Sequence, residues 1–153
     1  MTRHLLQNAD HVLTMDGAAL RGADILIEDG VILEVGTGLE TTGAEVTSLA
    51  GRAVTPGLVN THHHLFQTLT RAVSGGQDAL LFGWLKTLYP IWSRFGPDDM
   101  RLSTKLGLAE LALSGCTTSS DHLYLFPNGA RLDDTIEAAA EVGLRFHPTR
   151  GGM

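Results

Sequence analysis

Val54-Thr-Pro-Gly-Leu-Val-Asn-Thr-His-His-His64 is the stretch whose reading decides this chain. It reads as a short apolar strand, Ala53 to Asn60, interrupted at Pro56-Gly57 and running into a cluster of histidines. Side chains alternate faces along a strand, so His62 and His64 are expected on one side and His63 on the other. Two convergent imidazoles at a strand end can grip one divalent metal, because His nitrogen bonds zinc at about 2.0–2.1 Å. His62 and His64 are therefore the candidate metal ligands, and His63 is expected to pack or hydrogen-bond. The plainer reading is a polar surface run. An expression tag is excluded, because the cluster lies inside the chain behind an apolar strand.

At 153 residues the chain is long enough to bury the core of one ordinary domain. Its formal charge of −6, with scattered basic residues and no basic run, argues against a nucleic-acid partner. No apolar stretch approaches the roughly 20 residues of a membrane span, and Met1 to Asn8 has no apolar signal region. Cys116 is the single cysteine, so no intrachain disulfide is possible. These features lead us to expect a cytoplasmic protein with neither nucleic acid nor membrane as partner.

Residues 1–52 read as β-structure, with a first strand over Leu5-Leu6 and Val12-Leu13-Thr14 that Asp16-Gly17 ends. Asp29-Gly30 between Asp24–Glu28 and Val31–Val35 is a hairpin signal, since both central turn residues need positive φ. From 53 to 153 strand and helix alternate, which predicts βα units on a parallel sheet. An aromatic-rich helix is expected around Leu80–Trp92, and a second opening at Pro97-Asp98-Asp99, where proline and two acids suit a helix N-terminus. Leu102, Leu106, Ala109 and Leu113 recur at helical spacing and predict its buried stripe, ended by Gly115. Cys116–Asp121 is the second strand, Leu132–Val142 a helix closed by Gly143, and Leu144–Thr149 the third strand.

Several side chains near strand exits are candidates for substrate binding. Gln67 can donate and accept as an amide; Tyr124 can hydrogen-bond a ring nitrogen; Arg150 can hold an anionic or carbonyl group; Trp84 can stack on a substrate or sit in the core. Asp121 can orient a histidine from behind or cap a turn. Cys116 reads most simply as a small buried hydrophobe. There is no His-Glu-x-x-His, no Gly-x-Ser-x-Gly and no Pro-Cys-x-x-Cys, which excludes zinc proteases, α/β-hydrolases and cytidine-deaminase-type enzymes.

Pro56–Arg71, with Phe82–Trp92 and Leu113–Pro127, resembles the amidohydrolase superfamily, in its purine and triazine aminohydrolase branch and particularly those members that deaminate 8-oxoguanine. The resemblance runs from about Asp24 to the last residue. It implies an α/β fold: the N-terminal part of a metal-dependent (β/α)8 TIM-like barrel, with part of a flanking β-sandwich subdomain in residues 1–52 and the first three βα units in 53–153. It implies one divalent metal, zinc or else iron, on His62 and His64, with Gln67 near a substrate carbonyl and Cys116 near the 8-oxo group. The same resemblance implies a small-molecule substrate and assembly as a homo-oligomer. The other ligands and proton-transfer groups of the resembled site would lie outside this sequence. The implied reaction is hydrolytic deamination of an oxidised purine, 8-oxoguanine to urate and ammonia. The alternatives are a triazine, hydroxytriazine or other purine aminohydrolase, or a chain that, as given, is a non-catalytic fragment folding only against its missing part.

Overall fold

The structure, a computed structural model, describes residues 2–17 and 19–152. The chain forms two compact units, residues 1–56 and residues 57–153.

In the first unit, β1 (Arg3–Ala9), β3 (Ala23–Glu28), β4 (Val31–Gly36) and β5 (Glu45–Ser48) make a sheet in the order β4-β3-β1-β5. The short β2 (His11–Val12) and β6 (Ala53–Val54) pair separately and in parallel. Asp29 and Gly30 turn β3 into β4 with φ of 47° and 81°, the left-handed conformations that a tight hairpin requires. The expected single first strand is two. Asn8 takes φ 59°, its N–H bonds the buried Asp24 carboxylate at 2.8 Å, and the β1/β3 register slips between Leu6 and Ala9. Ala9, Val12, Ala23, Ile25 and Leu49 form the core.

The expected strand over Ala53–Asn60 also divides, because proline has no N–H for a ladder and breaks the pairing at Pro56-Gly57. Its first half is β6; its second half is β7 (Leu58–Asn60), in the second unit. There β7, β8 (Cys116–Leu123) and β9 (Arg145–Arg150) form a parallel sheet in chain order. Helices α1 (Leu81–Trp92) and α2 (Pro97–Leu113) lie between β7 and β8, and α3 (Leu132–Val142) between β8 and β9. This is the expected βα repeat; a closed barrel is not formed by these three strands.

Local chemistry explains the helix ends. Asp99 Oδ2 accepts the Gly96 N–H at 2.8 Å, and Asp134 Oδ2 accepts the Arg131 N–H at 2.7 Å, so each acid satisfies a backbone donor ahead of its own helix. Gly143 ends α3 in the left-handed conformation. Three-residue and six-residue 3-10 turns, including Leu65–Thr70 directly after the histidines, fill the β7–α1 connection.

One expectation about α2 is overturned. Leu102, Leu106 and Leu113 are 58%, 40% and 90% exposed, and Ala109 is exposed too. The buried face carries Met100, Ser103, Thr104, Gly107 and Leu108. The reason is close approach. A β-carbon on Gly107 would lie 2.6 Å from Leu65 Cδ2 and 2.9 Å from Thr68 Oγ1, so α2 presents its small residues, not its leucines, to the Leu65–Thr70 turn. Leu65 and Leu108 then join Ala139 of α3 in one cluster, while Phe66, Leu88, Trp92, Met100 and Leu123 make the main core.

That contact is testable. Gly107→Val in the full-length protein is expected to lose about 1–3 kcal/mol in urea unfolding, the usual cost of overpacking. Gly83→Ala, where the added carbon meets only Ala79 Cβ at 3.7 Å, should leave stability unchanged or raise it by up to about 1 kcal/mol. Equal effects at the two positions would refute the close approach as the reason for Gly107.

Candidate functional site

β7 stops at Asn60, so the histidines follow the strand and do not belong to it. Strict alternation therefore does not govern them. The rings of His62 and His64 still converge, edge to face, with centroids 5.1 Å apart. His63 does not point away as expected: all three histidines line one cavity of about 280 Å³, with Gln67, Arg71 and Glu110. His63 is half-buried, its Nδ1 has no partner among the described residues, and burial holds its pKa below the ordinary value, helped by the nearby His64, Arg71 and His62. Arg71 and Glu110 close that side as a two-pronged ion pair at 2.8 and 2.7 Å.

The parallel pairing of β7 and β8 continues past the end of β7 into the histidines. The His122 N–H donates to the His63 carbonyl at 2.9 Å, and the His64 Nδ1 lies 2.8 Å from the His122 carbonyl. A carbonyl only accepts, so His64 Nδ1 carries the proton and Nε2 keeps its lone pair. A backbone carbonyl behind one ring nitrogen is the usual way a metal-binding histidine is oriented. The pair thus fits a divalent metal as two of its ligands. Among the described residues no group of three or more His, Cys, Asp or Glu side chains gathers to complete a site.

A second cavity, of about 370 Å³, opens on the other side of His64 and is bounded by Gln67, Tyr124, His122, Trp84 and the leucines Leu81 and Leu85. Gln67 Nε2 donates to Tyr124 Oη at 2.9 Å, which leaves the phenol proton free to donate. Tyr124 stands edge to face on His64, centroids 5.2 Å apart, and burial raises its pKa. Trp84 bounds the cavity and packs edge to face on the buried Trp92 at 5.2 Å. Gln67, Tyr124 and Trp84 are thus brought beside the histidine pair.

Cys116, Arg150 and Asp121 are not. Cys116 is the first residue of β8, paired with Leu58 at the start of β7, buried, with its thiol on the Thr118 carbonyl. His122 lies six residues further along that strand, roughly 20 Å away at about 3.3 Å per residue. Cys116 therefore sits at the opposite end of the sheet from the histidines and lines neither cavity. Arg150 stacks its guanidinium over the Phe126 ring, 4.8 Å from the centroid, and also lines neither.

Among the described residues the Asp121 carboxylate hydrogen-bonds no histidine ring. Alternation along β8 turns it away from His122, and its Oδ1 accepts the Leu65 N–H at 2.7 Å, capping the turn that follows the histidines. His122 is the residue that sequence reasoning passed over. The signal was present, since it shares a strand-end face with Tyr124 two residues on.

The fold and this constellation together define the class. The chain belongs to the amidohydrolase family, whose signature matches residues 53–152. It is 44% identical over its whole length to an 8-oxoguanine deaminase of Pseudomonas aeruginosa, of which it covers 35%. A triazine hydrolase from Arthrobacter aurescens superposes over 98% of this chain and 36% of its own, with a TM-score of 0.92 and 31% identity. An atrazine chlorohydrolase from Arthrobacter aurescens TC1, solved complexed with zinc, matches 95% of this chain and 35% of its own, at TM-score 0.88 and 31% identity. The chain spans about a third of the length of the curated relatives it matches.

Asp121 supplies a pH test. It is 1% exposed, its Oδ2 has no partner among the described residues, and burial pushes its pKa from 3.8 up to about 6 despite the Leu65 N–H and the nearby His64 and His122. A carboxyl whose pKa is higher in the folded state stabilises the fold while protonated. Its contribution is complete below about pH 4 and is lost as pH rises through about 6, a span of order 3 kcal/mol. Asp121→Asn keeps an acceptor for Leu65 and removes the titration. In metal-free full-length protein, the stability difference between variant and wild type should move in favour of the variant between pH 4 and pH 7. A difference that stays constant with pH would refute this assignment.

Proposed function

We propose that the full-length protein is a metal-dependent aminohydrolase that converts 8-oxoguanine and water to urate and ammonia, built on an eight-stranded βα barrel to which this chain contributes the first three strands. The observation that carries the reading is the His64–His122 hydrogen bond, which leaves His64 Nε2 free beside His62, with the Gln67–Tyr124 pair against the same ring. The similarity to an 8-oxoguanine deaminase supports the substrate, and the zinc complex of the atrazine chlorohydrolase supports zinc as the metal.

Within this reading His62 and His64 hold the metal, which when bound supplies Lewis acidity and a water nucleophile at neutral pH. The His122 carbonyl keeps His64 in the tautomer that ligates. Gln67 and Tyr124 offer hydrogen bonds to the edges of the purine and set the orientation of its amino-bearing carbon. Trp84, Leu81 and Leu85 cover a ring face and exclude water from it. At that carbon the bond to the exocyclic amine breaks, a bond to the water oxygen forms, and the nitrogen leaves as ammonia. A triazine is the second reading, favoured by the superposition on the triazine hydrolase, since a hydroxytriazine presents a comparable flat amidine.

Ammonia release from 8-oxoguanine, guanine, isoguanine and a hydroxytriazine, measured side by side on zinc-loaded full-length protein, decides between them. 8-Oxoguanine should be the best substrate; a hydroxytriazine that outperforms it would overturn the purine assignment and leave the aminohydrolase. His62→Ala and His64→Ala should each lose bound metal and turnover, whereas His63→Ala keeps the metal. Normal metal content in His64→Ala would sink the ligand assignment. Gln67→Ala should lower kcat/KM about tenfold, the worth of roughly one lost hydrogen bond. Cys116→Ala should leave kcat/KM unchanged, because its thiol lies at the far end of β8.

A further inference from the structure

His122 meets the proposed site both through its backbone and through its ring. Its N–H and carbonyl are both committed, to the His63 carbonyl and to His64 Nδ1. These two bonds fix its α-carbon against the histidine pair. The imidazole itself bounds the second cavity, 5.4 Å from the His64 ring and 5.7 Å from Tyr124, centroid to centroid. Neither of its ring nitrogens makes a hydrogen bond among the described residues, although the side chain is a strong donor and acceptor.

The ring's seat is unusual. Gly151 follows β9 and donates its N–H to the Leu123 carbonyl at 2.7 Å, which ties the end of β9 to β8. A β-carbon on Gly151 would overlap the His122 ring, whose Nε2, Cδ2 and Cε1 are the three atoms nearest to it. The backbone of Gly151 is not left-handed, so conformation does not call for glycine there. The imidazole fills the space instead, so any side chain at 151 would have to displace the exposed His122 ring. A bare α-carbon at the end of one strand therefore accommodates a ring from the next, on the wall of a cavity whose other sides are Trp84 and two leucines.

We propose that His122 is a specificity-determining residue that hydrogen-bonds the oxo-bearing edge of a flat heteroaromatic substrate, and that Gly151 is its positioning residue. The inference rests on the aminohydrolase reading above. A neutral imidazole offers one donor and one acceptor, which matches a ring edge where a carbonyl adjoins an N–H. With Gln67 and Tyr124 it makes three polar side chains around a mainly apolar cavity, the pattern by which small-molecule sites fix orientation.

The test uses zinc-loaded full-length protein and four variants: His122→Phe, His122→Ala, Gly151→Ala and the double variant Gly151→Ala/His122→Ala. Kinetics are measured on whichever of 8-oxoguanine, guanine, isoguanine and the hydroxytriazine wild type prefers, with metal content and equilibrium binding of the same compounds alongside. His122→Phe, which keeps a ring in place, should lower kcat/KM about tenfold, mainly through KM, and weaken binding to match, with metal content unchanged. Gly151→Ala should do likewise, and should have no effect once His122 is alanine. A kcat/KM for His122→Phe within twofold of wild type overturns the proposal. So does loss of metal in that variant, or a Gly151→Ala effect that persists in the His122→Ala background. If wild type prefers the hydroxytriazine, the substrate assignment fails while His122 is tested on that compound. If wild type neither binds nor turns over any of the four, both fail.

Discussion

The hydrogen bond from His64 Nδ1 to the His122 carbonyl is the constraint on which the site depends. It couples two requirements that would otherwise be independent. One is structural: β7 is only three residues long, and the bonds between the histidine segment and His122 continue its pairing with β8 beyond its end. The other is chemical, for the same bond assigns the proton on His64 and leaves the opposite nitrogen as a lone-pair donor. A loop able to move freely would satisfy neither. Because the acceptor is backbone, no side-chain substitution at 122 removes it, and the ring of His122 is free to take a separate role.

Close backbone approach holds the surrounding parts in place. Asp121 caps the Leu65–Thr70 turn from below while Gly107 lets α2 press against its side, so the turn that carries Gln67 is held from two directions. Trp92 donates its indole N–H to Thr70 Oγ1 at 3.0 Å, closing the far end of the same turn. Each contact is short-range and directional, which suits a segment that must hold an amide to a hydrogen-bond distance of a phenol. The cost is a buried carboxyl at Asp121 whose Oδ2 has no partner among the described residues, and burial raises its pKa.

Where local chemistry alone decides, the sequence was legible. Asp29-Gly30 could only be a tight hairpin, and Leu132–Val142 followed by Gly143 carried both the periodicity and the stop of α3. Where packing decides, it was not. The leucines of α2 and its small residues both recur at helical spacing, and hydrophobicity favoured the leucines; the close approach to Leu65 and Thr68 favoured the small ones. The same holds in the site. His62 and His64 converge although the strand whose alternation predicted it ends two residues before them, and His63 was misplaced for that same reason. Cys116 was drawn toward the site by the residues around it, although its position at the start of β8 puts it at the wrong end of a parallel strand.

Among the described residues, the second cavity is lined by no carboxylate, lysine or arginine side chain. Gln67, Tyr124 and His122 are amide, phenol and imidazole, set against Trp84, Leu81 and Leu85. Ring carbonyls and N–H groups are themselves neutral, so a charged wall would be desolvated for little return. Neutral partners discriminate in a different way. A ring that presents the matching donor or acceptor satisfies them, and a ring that lacks it leaves a buried group unpaired, which costs more than the bond was worth. On the proposed reading, selection between an oxidised purine and its unoxidised parent comes from that asymmetry. It then resides in three side chains carried by one turn and one strand end, both anchored to the carbonyl and amide of a single residue, His122.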